Sequence, residues 1–157
     1  MPARAVPSAL VLFLGGRGPD AAGRFLEDIL DWDDAALEAT HDYIQWLFPL
    51  PTPSAAAPGS PVLTAEDIEA VRHDPVAQGN LRRAAERMRG FYEANSHWLV
   101  AHDHNHLRIS RVIRSLRLLL GHDEAVEFFE AIMRLVGRAG EPVSATSIEH
   151  WQDAAGV

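Results

Sequence analysis

The sequence predicts an all-α protein, a single compact bundle of about six or seven helices with one proline-rich surface connector. Apolar residues recur at spacings of three and four over most of the chain, which is the period of one helix face. Ser, Thr or Asp stands directly before several of these stretches, where its side chain can cap the first turn. No stretch alternates apolar and polar residues for long enough to predict a strand.

The N-terminal part predicts a short leader and then the first helices. Residues 1–8 contain two prolines and predict a flexible leader. Residues 9–14 are apolar and predict the first buried segment of one domain over residues 9–157. Pro19 and Asp20 follow a glycine-rich turn and predict the start of a helix that runs to about Trp32.

The next helix is predicted over residues 33–48, with Asp33 as its N-cap and a bend near Thr40. It ends at Phe48 because the residue before a proline is disfavoured in α geometry. Residues 49–63 are dense in proline, which excludes a helix or a central strand. They predict an extended connector over the surface.

The remaining helices are predicted from caps and apolar stripes. Thr64 and Asp67 resemble a capping box, and Asp74-Pro75 is a second start signal. The predicted spans are residues 64–73, 74–95, 103–120 and 122–136, followed by a last helix that begins at Ser144 or Thr146. In the helix over 103–120, Leu107 and Leu118 lie opposite the main apolar stripe, which predicts contacts on two sides.

The amino-acid composition excludes some kinds of functional site and disfavours some partners. The 157 residues carry a net charge of −8, which disfavours nucleic acid as a partner. There is no cysteine and no lysine, so disulfides, thiol nucleophiles and Schiff-base lysines are excluded. This composition predicts a cytoplasmic protein from a GC-rich, bacterial genome. No apolar run is long enough to span a bilayer.

The first distinctive segment is residues 37–49, Leu-Glu-Ala-Thr-His-Asp-Tyr-Ile-Gln-Trp-Leu-Phe-Pro. One interpretation is a recognition patch that combines flat aromatic rings with directional polar groups. The other is a core helix whose aromatic rings are buried with their polar tips hydrogen-bonded. The candidate residues are His41, Asp42, Tyr43, Gln45 and Trp46.

The second distinctive segment is residues 104–121, which begins His-Asn-His-Leu-Arg-Ile-Ser-Arg. Asn105, Arg108 and Arg111 form a polar strip beside the apolar stripe of the predicted helix. These arginines are either paired internally with carboxylates such as Glu38 or Asp42, or form a carboxylate or phosphate site. The first alternative is favoured, because an unpaired buried charge is costly.

Four histidines, at positions 97, 102, 104 and 106, surround the start of this helix. Alternate histidines can hold a metal on a strand, but residues two apart on a helix do not share a face. Capping, surface placement or hydrogen bonding to a neighbour is therefore favoured, and no metal or cofactor is predicted. No motif for a nucleophile or a phosphate loop is present, so the sequence favours a protein that is not an enzyme.

The two distinctive segments, residues 37–49 and 104–121, resemble the conserved domain of the opioid growth factor receptor family. Weaker agreement comes from Pro19-Asp20, Met88, Phe91-Tyr92 and Trp98, and the resemblance extends from about residue 12 to residue 152. It implies a helical domain. In animals it also implies a receptor for a short opioid pentapeptide, associated with the nucleus and with restraint of growth.

We therefore expect a module that binds a short peptide or a small anionic ligand between helices. The predicted site has one group of residues facing another: His41, Asp42, Tyr43, Gln45 and Trp46, and His104, Asn105, Arg108 and Arg111. One alternative is an enzyme that uses His104 or His41 as a general base. Another is a regulatory protein that binds a protein partner through an exposed apolar patch.

Overall fold

The computed structural model describes residues 6–157, so most of the predicted leader lies outside the described residues. The described part is all-helical, which confirms the predicted fold class, but it contains nine helices instead of six or seven. They are α1 (Ala9–Leu14), α2 (Leu26–Leu30), α3 (Asp34–Ala39), α4 (Ile44–Leu47), α5 (Ala65–Arg72), α6 (Pro75–Ala94), α7 (His104–Leu119), α8 (His122–Arg138) and α9 (Ala145–Ala155).

The chain divides into two compact units, with the boundary inside α6. Unit 1 ends at Leu81 and unit 2 begins at Arg82. A single domain over residues 9–157 stays a prediction, and each unit is described by itself below.

In unit 1, α1 packs against α4 and α5. Phe13 and Leu14 of α1 are fully buried, so residues 9–14 are a buried segment as predicted. The capping box of α5 has formed, because the Thr64 hydroxyl accepts from the Asp67 N–H and the Asp67 carboxylate accepts from the Thr64 N–H. The proline-rich residues between α4 and α5 form neither helix nor strand.

The helix predicted over residues 19–32 is wrong at its start, since α2 begins at Leu26. One oxygen of Asp20 accepts hydrogen bonds from the backbone N–H groups of Ala22 and Arg24, both at 2.9 Å. These bonds compete with the helical pattern. Gly23 also has a φ of 80°, which a right-handed helix does not allow. A tight loop therefore replaces the first two turns.

The helix predicted over residues 33–48 is two short helices, α3 and α4, separated at residues 40–43. Asp33 is the N-cap, as predicted, and its carboxylate accepts from the Ala36 N–H at 2.8 Å. The predicted end before Pro49 is also confirmed, since α4 ends at Leu47 and Phe48 is its C-cap. The predicted bend is thus a complete break, and it brings Tyr43 to the start of α4.

In unit 2, α7, α8 and α9 pack against one another. Asp103 caps α7 as predicted, accepting from the Asn105 N–H at 2.9 Å. One face of α7 is buried along its length, but Leu107 is 70% exposed. The prediction of a second contact at Leu107 is therefore wrong. The last helix, α9, has Ser144 as its N-cap and ends at Ala155, with Gly156 as its C-cap.

Candidate functional site

A buried carboxylate fixes the side chain of Arg24 in unit 1. The Asp20 side chain is fully buried, and the Arg24 Nε donates to its Oδ2 at 2.7 Å. The Arg24 Nη2 lies 2.7 Å from the same oxygen. The other oxygen of Asp20 is occupied by two backbone N–H groups of the loop. Asp20 therefore stabilises the conformation of the loop and fixes the orientation of the Arg24 guanidinium.

An aromatic ring supports the same guanidinium. The Arg24 Cζ lies 5.3 Å from the centroid of the Trp32 ring, within the range of a cation–π contact. Trp32 in turn meets Tyr43 edge to face, with centroids 5.5 Å apart. Tyr43 is fully buried, and its hydroxyl donates to the Leu37 carbonyl at 2.7 Å. The guanidinium is thus held on a surface that is anchored in the core.

The outer end of Arg24 meets an exposed carboxylate. The Nη1 of Arg24 donates to Asp42 Oδ1 at 2.9 Å, and the Asp42 side chain is 64% exposed. Burial alone would lower the pKa of Arg24, but hydrogen bonds and attraction from Asp20 and Asp42 hold it above its ordinary value. Arg24 is therefore a permanent cation with one well-protected and one exposed counter-ion. We call Asp20, Arg24, Trp32 and Asp42 the Arg24 cluster.

The first predicted segment is divided between surface and core. His41 and Asp42 are exposed, while Tyr43, Gln45 and Trp46 are buried. The Trp46 ring packs edge to face on Phe13 with centroids 5.4 Å apart. The core interpretation therefore describes residues 43–46, and the recognition interpretation is open only for residues 41–42. Within the described chain, the buried Gln45 Oε1 has no hydrogen-bond partner.

In the second segment, Asn105 is fully buried and joins α6 to the start of α7. Its Oδ1 accepts from the Tyr92 hydroxyl at 3.2 Å, and its Nδ2 donates to Asp103 Oδ1 at 2.9 Å. Burial would raise the pKa of Asp103, but the hydrogen bonds from Asn105 lower it below its ordinary value. His104 is about half exposed beside this carboxylate, with its Nδ1 3.7 Å from Asp103 Oδ1. Asn105 therefore stabilises the start of the helix.

The two arginines of the predicted strip differ in exposure. Arg108 is 7% exposed and belongs to the core of unit 2. Arg111 is half-buried, and burial lowers its pKa from the ordinary value. Asp42, one of the acceptors considered for them, is paired with Arg24. The arrangement of the two segments as facing halves of one site stays a prediction, because they belong to different units.

His106 forms hydrogen bonds to its neighbours, which was one of the alternatives predicted for the four histidines. Its Nε2 donates to the Trp98 carbonyl at 2.8 Å, and its Nδ1 lies 2.9 Å from the Ser147 hydroxyl. The Trp151 Nε1 donates to the His106 carbonyl at 2.9 Å. This histidine joins the connector after α6 to α7 and α9.

A cleft of about 320 Å³ lies in unit 2 between α6 and α8. Leu116 and Phe128 contribute apolar surface, and an ion pair between Arg82 Nε and Glu124 Oε1, 2.8 Å long, is part of its wall. The residues that line it include no histidine. His41 and His104, which the enzyme hypothesis requires, therefore lie outside this cleft.

Within residues 6–157, no three His, Asp or Glu side chains converge in a way that could hold a metal ion. None of the helices in the described part has the length and apolar character needed to cross a membrane.

Comparison with known proteins identifies the region that contains the Arg24 cluster. Residues 20–97 match the opioid growth factor receptor (OGFr) conserved region. This part of the chain is therefore similar to the opioid growth factor receptor family. The match begins at Asp20 and includes residues 37–49, whereas the second distinctive segment, 104–121, follows it.

The chain is also similar to part of each of three opioid growth factor receptors. It is 38% identical to the receptor of Rattus norvegicus over 131 aligned positions, which cover 68% of this chain and 22% of the receptor. It is 38% identical to the receptor of Mus musculus, and the alignment covers 68% of this chain and 20% of that receptor. It is 37% identical to the receptor of Homo sapiens, and the alignment covers 68% of this chain and 19% of that receptor. No solved structure gives a significant match.

The chain thus spans about a fifth of the length of the curated relatives it matches. Every residue of the Arg24 cluster lies within the opioid growth factor receptor conserved region, residues 20–97. Asp20 and Arg24 were not predicted as site residues, because their stretch was interpreted as a helix. Their spacing of four residues around a glycine was the available signal.

Proposed function

We propose that this chain is a ligand-binding module that recognises a short peptide at the Arg24 cluster. The observation that carries the proposal is a guanidinium that is oriented by buried Asp20, supported by Trp32 and paired at its outer end with exposed Asp42. Planar, charge-assisted hydrogen bonds of this kind are among the stronger polar contacts in recognition. His41 adds a polar group to the same exposed stretch.

The family relationship supports a peptide as the ligand. The relatives are opioid growth factor receptors by name, and an opioid pentapeptide is the first candidate. The proposal places the module in the cytoplasm of a bacterium, in keeping with a composition that has arginine but no lysine or cysteine.

Titration calorimetry with a synthetic opioid pentapeptide tests this function. We expect saturable binding to the native chain and at least tenfold weaker binding to Arg24→Gln, because lost charge-assisted hydrogen bonds cost about 1.5–3 kcal/mol. Arg134→Gln is the matched control, since it removes an exposed arginine of unit 2. Its affinity should equal that of the native chain.

Removing Arg24 also removes a partner of buried Asp20, so folding of the variant is checked by circular dichroism. If Arg24→Gln is unfolded, Arg24→Lys retains a cation beside Asp20 without the guanidinium fork. It should also weaken binding. Equal affinity of a folded Arg24 variant and the native chain, or no binding by the native chain, would contradict the proposal.

A further inference from the structure

We propose that the Arg24 cluster accepts the C-terminal carboxylate of a ligand, and that Asp42 is a built-in competitor that the ligand displaces. The inference rests on the proposed function and specifies which chemical group of the peptide is recognised. It assigns different roles to the two carboxylates that contact Arg24.

The guanidinium presents a binding edge on the side away from Asp20. Asp20 contacts the Nε and Nη2 atoms, and Asp42 accepts from Nη1. A guanidinium carries five N–H groups. Each Nη atom carries two N–H groups. In the described part of the chain, the contact of Nη2 with Asp20 and the bond from Nη1 to Asp42 leave one N–H group on each Nη atom without an acceptor. An incoming carboxylate can therefore form two parallel hydrogen bonds at this end once Asp42 has moved away.

The two carboxylates differ in how firmly they are held. The Asp20 side chain is fully buried, and its Oδ1 accepts hydrogen bonds from the backbone N–H groups of Ala22 and Arg24. Asp42 is 64% exposed, and its only described hydrogen bond is the one from Arg24 Nη1. Exposed ion pairs contribute little net stability, whereas a buried charge that loses its partner is strongly destabilised. Asp42 is thus the carboxylate that exchanges.

The shape and charge of the cluster favour a carboxylate as the ligand group. A carboxylate matches the planar guanidinium fork, and it replaces one anion by another without changing the charge balance around Arg24. The Trp32 ring supports the guanidinium and keeps it oriented while the exchange occurs.

The test is an NMR titration with N-acetylglycine, the smallest mimic of a peptide C-terminus, at constant ionic strength. The side-chain Nε–H resonance of Arg24 is assigned by its loss in Arg24→Lys. We expect a saturable shift, with an apparent Kd roughly threefold lower for Asp42→Asn than for the native chain, since the competing ion pair is weak. N-acetylglycinamide, which lacks the carboxylate, should cause no shift.

Asp31→Asn is the matched control, because it removes one exposed negative charge from unit 1 outside the cluster. It should leave the Kd at the native value. Equal Kd values for Asp42→Asn and the native chain would overturn the inference. The same gain in Asp31→Asn, or no Arg24 shift in Asp42→Asn, would also overturn it. The titration uses no opioid peptide, so its failure and a failure of the calorimetric experiment are separate results.

Discussion

Replacement of Trp98 by alanine is expected to lower the free energy of unfolding by about 3–5 kcal/mol. Trp98 is fully buried, and its Nε1 donates to the Asn95 carbonyl at 2.8 Å and to the Tyr92 carbonyl at 3.1 Å. Its own carbonyl accepts from His106. The substitution leaves a large cavity and removes the anchor of the connector between α6 and α7. Urea unfolding followed by circular dichroism measures the loss.

Two further variants make this experiment specific. Trp98→Phe retains most of the buried ring and loses the indole N–H, so a smaller loss of about 1–3 kcal/mol is expected. Leu107→Ala shortens an apolar side chain that is 70% exposed, and should change stability by no more than about 0.5 kcal/mol. A loss below about 1 kcal/mol for Trp98→Ala would contradict the described core of unit 2.

Trp46→Ala is expected to cost about 3–5 kcal/mol in unit 1. The Trp46 side chain is buried against Phe13 at the start of α4, with ring centroids 5.4 Å apart. Denaturant unfolding of Trp46→Ala and Trp46→Phe is compared with that of the native chain. Trp46→Phe should lose less than half as much stability as Trp46→Ala, because it keeps an aromatic ring in the cavity.

The outcome for Trp46 also separates the two interpretations of residues 41–46. A loss of several kcal/mol agrees with a ring packed in the core. A loss well below 1 kcal/mol would mean that the ring is exposed, and Trp46 would then return to the set of candidate ligand-binding residues.

The helical class and most helix ends could be predicted because their causes are local. Asp33, Thr64 and Asp103 cap helices through atoms two or three residues away, and proline stops α4 through its immediate neighbour. The start of α2 could not be predicted in the same way. The Asp20 carboxylate accepts hydrogen bonds from the backbone N–H groups of Ala22 and Arg24. These bonds compete with the helix, and the spacing of apolar residues does not reveal them.

The Arg24 cluster depends on contacts between residues far apart in sequence. Arg24 and Asp42 are 18 residues apart, and the break between α3 and α4 separates the helices that the sequence predicted as one. Asp42 was therefore predicted as a site residue without its partner Arg24. Tyr43 and Trp46 were also predicted as site residues, since rare aromatic residues carry the family resemblance whether they bind a ligand or fill a core.

A helical wheel predicted the polar strip of Asn105, Arg108 and Arg111. A wheel gives the direction of each side chain around the helix axis, but not how deeply the side chain is buried. Asn105 and Arg108 are buried and Arg111 is half-buried. A wheel cannot distinguish a polar strip at the surface from one covered by neighbouring elements, because burial depends on packing outside the helix.

The most direct test of the central claim is a map of ¹⁵N–¹H chemical-shift changes over the whole chain on addition of the opioid pentapeptide. A site at the Arg24 cluster predicts the largest changes at the Arg24 and Trp32 side chains and at the backbone amides of residues 41 and 42. Shifts concentrated at the α6–α8 cleft, or no shifts at a large excess of peptide, would contradict it.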